Sequence, residues 1–539
     1  MRINILILAI AILFANVSGL FAQENNDTQL DWGQELKEPS GTFLAKIITS
    51  NEAGIYALRQ KNSKTSFEGP SKIYLEHYSP QLKLRKSSEL EMKFKKKRVE
   101  LEDVIPFNGK LYLFTSFNNE AKKINYLFAQ EVDYRRLQPR GKLIKVAENP
   151  TKNRAREGYF KFNISKDSSK LLIYNQNPER RKAKETFSVY VYDQELNPLW
   201  DKEIKLPFPD QNVEIESYEV DNEGNVYLLA LVFDKGSKSI RKGTANYQYR
   251  ILAYTKNGEH RETFPLKLDN YFITDLTFKI ANDGHLVCAG FYSQKQTSSA
   301  RGTYFFRLNP KTQEVYTNST KDFDFNLRTA DLSNRKKSKA MEAEEEGEIK
   351  KQAELQSFSL DHLILRNDGG AVLVAEQYFV ERVNNFNSFN SFNRGGGQSD
   401  FDYYYHYNDL VVANIRPNGE IQWATRIPKE QETRNDNGYF SSYTMSIVSD
   451  KLFFLFNDDS RNYDPDDDRL HSFNGSGKRT IISLAQLDRE GALQMRPLVD
   501  NQQDGLILRP KVSRQTGRRE MILFGERGKR FKLASLQFL

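Results

Sequence analysis

The sequence predicts an all-β fold, a β-propeller of eight four-stranded blades with seven as the alternative, and three observations carry that reading. A run of alternating large apolar residues, followed after a variable gap by a second run that ends in an Asp, Asn, Pro or Gly turn, recurs eight times. Phe and Tyr number 36 and 27 in 539 residues, while long helical patterns are scarce. No Pro/Gly/Ser-rich linker divides the chain, so one closed ring over 31–539 accounts for its length more simply than several domains.

The second run is clearest at Val189-Tyr190-Val191-Tyr192-Asp193, Ile251-Leu252-Ala253-Tyr254 and Val411-Val412-Ala413-Asn414-Ile415, each followed by a turn. With strands named a to d from the ring axis outward, the b strands begin near Gly54, Lys110, Lys170, Asn225, His285, Ala371, Lys451 and Glu520. The third strand of the last blade, 531–539, runs to the final residue, and Leu30-Asp31-Trp32-Gly33-Gln34-Glu35-Leu36 precedes the first inner strand without a partner of its own. The N-terminal strand is therefore expected to pair with the last blade and close the ring, removing an exposed edge. Pro198-Leu199-Trp200 and Ile421-Gln422-Trp423 repeat its pattern, which would put all three tryptophans at one site early in strand d.

Ahead of the ring, Arg2, the apolar run from Ile5 to Phe14 and the small residues up to Ala22 read as a signal peptide over 1–22, with a linker over 23–30. No later apolar segment is long enough to span a membrane. No cysteine near the cleavage point offers a lipid-anchor acceptor, so the mature chain is expected to be soluble after export: periplasmic, associated with the outer membrane, or secreted. The single cysteine, Cys288, lies in Leu286-Val287-Cys288-Ala289-Gly290 and reads as a core residue. A formal charge of +8 suits an acidic partner such as an anionic envelope glycan, or simply a solvated surface, and export argues against nucleic acid.

An antiparallel meander puts the a–b and c–d turns on one face of the ring and the b–c and d–a connections on the other. The first set is tight, as in Asp221-Asn222-Glu223-Gly224, Asn282-Asp283-Gly284 and Asn367-Asp368-Gly369, so nearly every insertion belongs to the second face. Basic insertions contain Lys95, Lys96 and Lys97 after blade one and Arg180 and Arg181 within blade three, candidates for an anionic surface. An Asn/Phe-rich insertion with Phe386, Phe389 and Phe392 leads into Tyr403, Tyr404 and Tyr405. Aromatic rings among amides suit sugar rings, although the Asn/Phe part also reads as a low-complexity loop and the tyrosines as the start of strand c. Asp464, Asp466 and Asp468 alternate in a blade-seven insertion and could supply oxygen ligands to calcium, but the glycine and later Glu of a helix-loop-helix calcium loop are missing. Beyond this candidate calcium site no cofactor is expected. A helical surface insertion is expected at about 336–356.

No histidine spacing fits catalytic zinc, no Gly-x-Ser-x-Gly elbow occurs, and Asn474-Gly475-Ser476-Gly477-Lys478 lacks the spacing of a phosphate loop. In blade three, Ser165-Lys166-Asp167-Ser168-Ser169-Lys170-Leu171 resembles the Ser-x-Asp-x-x-x-Leu turn of TolB-like propeller repeats, without the tryptophan of the sialidase Asp-box. Ala375-Glu376-Gln377-Tyr378-Phe379-Val380, Tyr407-Asn408-Asp409-Leu410-Val411-Val412, Ile427-Pro428-Lys429 and Asp436-Asn437-Gly438-Tyr439-Phe440 resemble a pattern in exported bacterial propeller-like proteins without an assigned activity. That resemblance covers about residues 357–460 and implies a common family, with no catalytic residues to carry over.

The expectation is a noncatalytic exported propeller that binds an envelope protein or an anionic or neutral glycan through its loop-rich face. A glycan hydrolase or lyase, with acidic residues at the channel mouth, is the alternative.

Overall fold

The computed structural model describes residues 27–61, 72–94, 97–151, 159–176, 184–209, 212–234, 240–241, 244–268, 271–294, 298–349, 352–384, 401–500 and 506–539. They form eight antiparallel sheets arranged as the blades of a single ring. The innermost strands are Thr42–Asn51, Glu100–Phe107, Tyr159–Ile164, Val213–Val220, Phe272–Ile280, Phe358–Leu365, Thr444–Val448 and Arg514–Gly517. Strand b begins at Gly54, Lys110, Leu171, Val226, Leu286, Ala371, Lys451 and Glu520, within one residue of each expected position. The repeat thus resolves to eight blades and not seven.

Burial follows from strand alternation. Successive residues of a b strand point to opposite sheet faces, and both faces are covered by a neighbouring blade. In blade one, Ile55 and Ala57 pack towards blade eight with Phe524 and Leu533, whereas Tyr56 and Leu58 pack towards blade two with Leu111 and Leu113. The same division yields a buried apolar cluster at each of the eight blade-to-blade junctions. Cys288 is one of these core residues, and burial pushes its thiol up, away from reactive thiolate.

The tight turns share one device. Asp193, Asp221 and Asp488 each accept backbone N–H bonds two and four residues on, at 2.8–3.0 Å. In the blade-three turn, Ser165 Oγ donates to Asp167 Oδ1 at 2.7 Å, and both oxygens accept the Ser169 N–H. The Ser-x-Asp turn is therefore a structural brace.

The ring closes through the N-terminal strand. Thr28–Trp32 pairs antiparallel with 534–538, and Leu36–Lys37 with 530–531, supplying the outer strand of blade eight. Pairing begins at Thr28, so 28–30 belong to the ring and not to a linker. Behind the strand, buried Arg59 of blade one binds Glu76 at 2.7 Å, pairs with Glu38 of the incoming chain and lies 4.7 Å from the centre of the Phe531 ring. Arg509 Nη1 adds a bond to Leu44 O at 3.0 Å across the same seam.

Two further expectations are corrected. Trp200 and Trp423 lie early in strand d and donate through Nε1 to Gly224 O and Arg489 O of the following blade, both at 2.9 Å. Trp32 sits at the end of its paired segment, opposite Ala534, and packs towards the preceding blade seven, so it is not the equivalent residue. The helical insertion is also shorter than its composition indicates: the helix spans Asn334–Glu345 and ends before Gly347 at φ 71°. It is held to blade five through Glu344, which pairs with buried Arg328 at 2.5 Å and with Arg301 at 3.5 Å.

Deleting residues 28–37 should lower the melting temperature by more than about 10 °C, because it exposes the whole edge of the last strand. Arg59→Met should cost about 3–5 kcal/mol in urea unfolding, because Glu76 would be left buried without its cation. Wild-type stability in either variant would contradict this account of the seam.

Candidate functional site: the blade-six flap and the channel beneath it

Blade six departs from the common blade length. Its strands Ala371–Asn384 and Phe401–Ile415 run beyond the ring on the loop-rich face, and Glu432–Arg434 adds a third strand against 404–406. Cross-strand partners share a sheet face, so the register collects Tyr378 with Tyr407, Val380 with Tyr405, and Arg382 with Tyr403 on one side of this flap. Tyr378, Val380 and Tyr403 are 38%, 41% and 40% exposed, which leaves an apolar strip open to ligand. Phe379 and His406 stack on the opposite side at 4.3 Å. Tyr405 donates to Asn437 Oδ1 at 2.6 Å, the Tyr403 N–H to Asn435 Oδ1 at 2.9 Å, and Arg434 pairs with buried Asp402. The strip is thus fixed from behind before any ligand arrives.

At its base the strip meets a buried polar cluster. Lys429, fully buried, bonds Glu376 at 2.8 Å and Tyr407 O at 2.6 Å, while Ser442 donates to the second Glu376 oxygen at 2.7 Å. Burial pulls the Lys429 amine down and Glu376 opposes that shift. Lys511, on the segment leading into blade eight, bonds the Tyr407 hydroxyl at 2.9 Å and lies 4.4 Å from the centre of its ring. Incomplete hydration pulls Lys511 below an ordinary amine.

Towards the axis, the inner strands of five blades carry a β-bulge at nearly the same level. It skips Ala45, Glu102, Glu216, Thr274 and Asp361, each the extra residue where the register with strand b shifts. A bulge re-aims its residue, and here three of the five are carboxylates on the channel wall. Asp361 accepts from Tyr443 at 2.9 Å, and desolvation within the channel, with Glu376 nearby, pushes it up to about 6. Glu216 and Asp275 are raised in the same way, each first by desolvation.

Of the residues singled out by sequence, Tyr403, Tyr404 and Tyr405 lie in the flap, as the start of strand c. Tyr403 and Tyr405 belong to the open strip, and Tyr404 faces the other side near Arg434. Lys97 lies in a small hairpin, Lys93–Phe94 with Lys97–Arg98, its amine 5.6 Å from the centre of the Phe117 ring. Lys95, Lys96, Arg180, Arg181, Phe386, Phe389 and Phe392 lie outside the described residues. Asp464 accepts the Asp466 N–H at 3.1 Å, and Asp467 between Asp466 and Asp468 takes His471 at 2.6 Å and Arg469 at 3.1 Å. Among the described residues, no three His, Cys, Asp or Glu side chains are grouped to hold a metal. Sequence reasoning missed Tyr378 and Val380 because their exposure depends on blade six outrunning its neighbours. It missed Glu102, Glu216 and Asp361 because bulges are set by register, and the inner strands of blades two and four carry other carboxylates, Glu100 and Asp103 or Glu214 and Glu219, from which no local pattern separates them.

No family model and no curated protein matches the sequence. Among solved structures, the WD40 domain of SCAP from fission yeast aligns over 96% of each chain at 9% identity and a TM-score of 0.39. The β-propeller domain of the Trilobed protease from Pyrococcus furiosus aligns over 86% of this chain and 97% of that one, at 10% identity and a TM-score of 0.34. The periplasmic gluconolactonase PpgL of Pseudomonas aeruginosa aligns over 72% and 96%, at 11% identity and a TM-score of 0.29. Likeness at this level carries no argument about ligand or activity.

The Asp361 carboxyl sets a pH dependence. Its folded value of about 6 lies above the ordinary aspartate value of 3.8, so the folded state binds the extra proton and stability from this group falls as pH rises through that window. Asp361→Asn keeps an acceptor for the Tyr443 hydroxyl and should raise the melting temperature at about pH 7.5 and far less at about pH 4.5. An equal difference at the two pH values would contradict the assignment.

Proposed function

We propose that this protein is an exported, noncatalytic binding propeller that engages an envelope protein or glycan through its loop-rich face. The observation that supports this most strongly is the open strip of Tyr378, Val380, Tyr403 and Tyr405 on a flap braced by its own hydrogen bonds. Tyrosine offers a large apolar face with a polar tip at small entropic cost, which suits both sugar rings and protein side chains. The apolar N-terminal run and the resemblance over about 357–460 support export. Among the described residues, no helix is long and apolar enough to cross a membrane.

A glycan hydrolase or lyase is the second reading, favoured by one observation: Glu216 and Asp361 sit at the bulges of their inner strands, Asp275 follows a third bulge, and all three carboxyl groups are raised. Tyr403→Ala combined with Tyr405→Ala separates the two. Under the binding reading, this variant loses at least about tenfold in affinity on a glycan array or in capture of a defined envelope component, and wild type cleaves no array glycan. Cleavage abolished by Asp361→Asn would favour the hydrolase, and unchanged binding by the tyrosine variant would remove the strip from the account.

A further inference from the structure

The opposite face of the ring, where every turn is tight, also holds a cavity. It measures about 870 Å³ and lies where the a–b turns of blades three, four and five surround the channel mouth. That volume lies within the range of specific ligand sites and far exceeds the needs of a single ion. We propose that this mouth binds a basic peptide segment of a partner protein, with lysine or arginine side chains entering the channel. The proposal concerns a different face from the tyrosine strip and does not depend on it.

Three features define the occupant. First, part of the lining is apolar: Ile164, Leu363 and Leu365 contribute to it from the inner strands of blades three and six. A lysine or arginine stem can lie along such a surface while its charged head stays hydrated. Second, the charge is inverted relative to the chain. The protein carries +8 overall, yet five carboxylates, Asp167, Glu219, Asp221, Glu223 and Asp283, line the cavity against three amines. Three of the carboxylates are already paired, Glu219 with Lys279, Glu223 with Lys311 and Asp283 with Arg307, the last two at 2.6 Å, which leaves Asp167 and Asp221 against Lys166 and a balance that favours an incoming cation. Third, the inner strands beyond the mouth carry Glu216 and Asp361, whose carboxyls are raised first by desolvation and then by the repulsion of neighbouring carboxylates. A guanidinium or ammonium reaching that level would relieve the repulsion.

The rim is preformed. Asp167, Asp221 and Asp283 are held by N–H bonds from Ser169, Glu223 and His285 within their own turns, and Asp167 accepts further from Ser165 Oγ. A bound peptide therefore meets carboxylates that need little ordering.

The test uses a fluorescein-labelled peptide of alternating lysine and leucine, its glutamate counterpart, and spermine. Fluorescence anisotropy with the full chain should show the lysine peptide binding with a Kd below about 100 μM at about 50 mM salt, and at least tenfold more weakly at about 300 mM. The variant Asn282→Lys with Glu223→Lys places two cations on exposed turn positions. It should bind at least about tenfold more weakly while keeping the wild-type melting temperature. Tyr403→Ala with Tyr405→Ala should bind the peptide as wild type does, which separates this site from the flap. Equal binding of the glutamate peptide, spermine as tight as the lysine peptide, or a charge variant indistinguishable from wild type would each overturn the proposal.

Discussion

The structure depends on one pairing between chain ends: Thr28–Trp32 lies against 534–538 across more than 500 residues of intervening sequence. An open ring of sheets would leave the outer edge of blade eight unpaired and its junction with blade one free to splay. The strand pairing satisfies that edge, and the Arg59, Glu38 and Glu76 group locks the junction behind it. Because each blade is covered on both faces only by its neighbours, the apolar clusters form a closed circuit. Loss at one seam therefore weakens the support of the adjoining blades.

Closure also gives the loops their meaning. With the b strands held in register, blade six can extend its hairpin beyond the ring without losing its base, and the flap inherits the rigidity of the sheet below. The buried group of Lys429, Glu376, Ser442 and Gln431 joins this base to blade seven; Gln431 Nε2 donates to Asn457 O at 2.8 Å, and Asn457 Nδ2 donates in turn to Leu508 O of blade eight at 2.7 Å. Removing one member would leave a buried charge or amide unsatisfied, so the cluster fixes one arrangement of three blades. Its position beneath the tyrosine strip ties the shape of that strip to the ring.

The parts legible in the sequence are those governed by local pattern. Apolar alternation located each b strand to within a residue, and Asp or Asn in the turns identified the tight face, because each turn is closed by its own side chain. Features governed by pairing were less legible. Trp32 resembles Trp200 and Trp423 in its flanking residues, yet its place is set by register with 534–538 and its ring turns to the other neighbour. The bulges at Glu102, Glu216 and Asp361 depend on how strands a and b slip past one another, which no single strand encodes. The acidic run of blade seven turns back on Arg469 and His471, a local closure that alternating Asp residues do not reveal.

Native-state hydrogen exchange across the seam tests the closure most directly. If the N-terminal strand is integral to the ring, amides of 28–32 and of 534–538 exchange together, at the rate of the blade-eight core strand Glu520–Arg527 and with the same dependence on denaturant. Rapid exchange of 28–32 at low denaturant, with Glu520–Arg527 and the remaining blades still protected, would show a detachable strand and contradict the account.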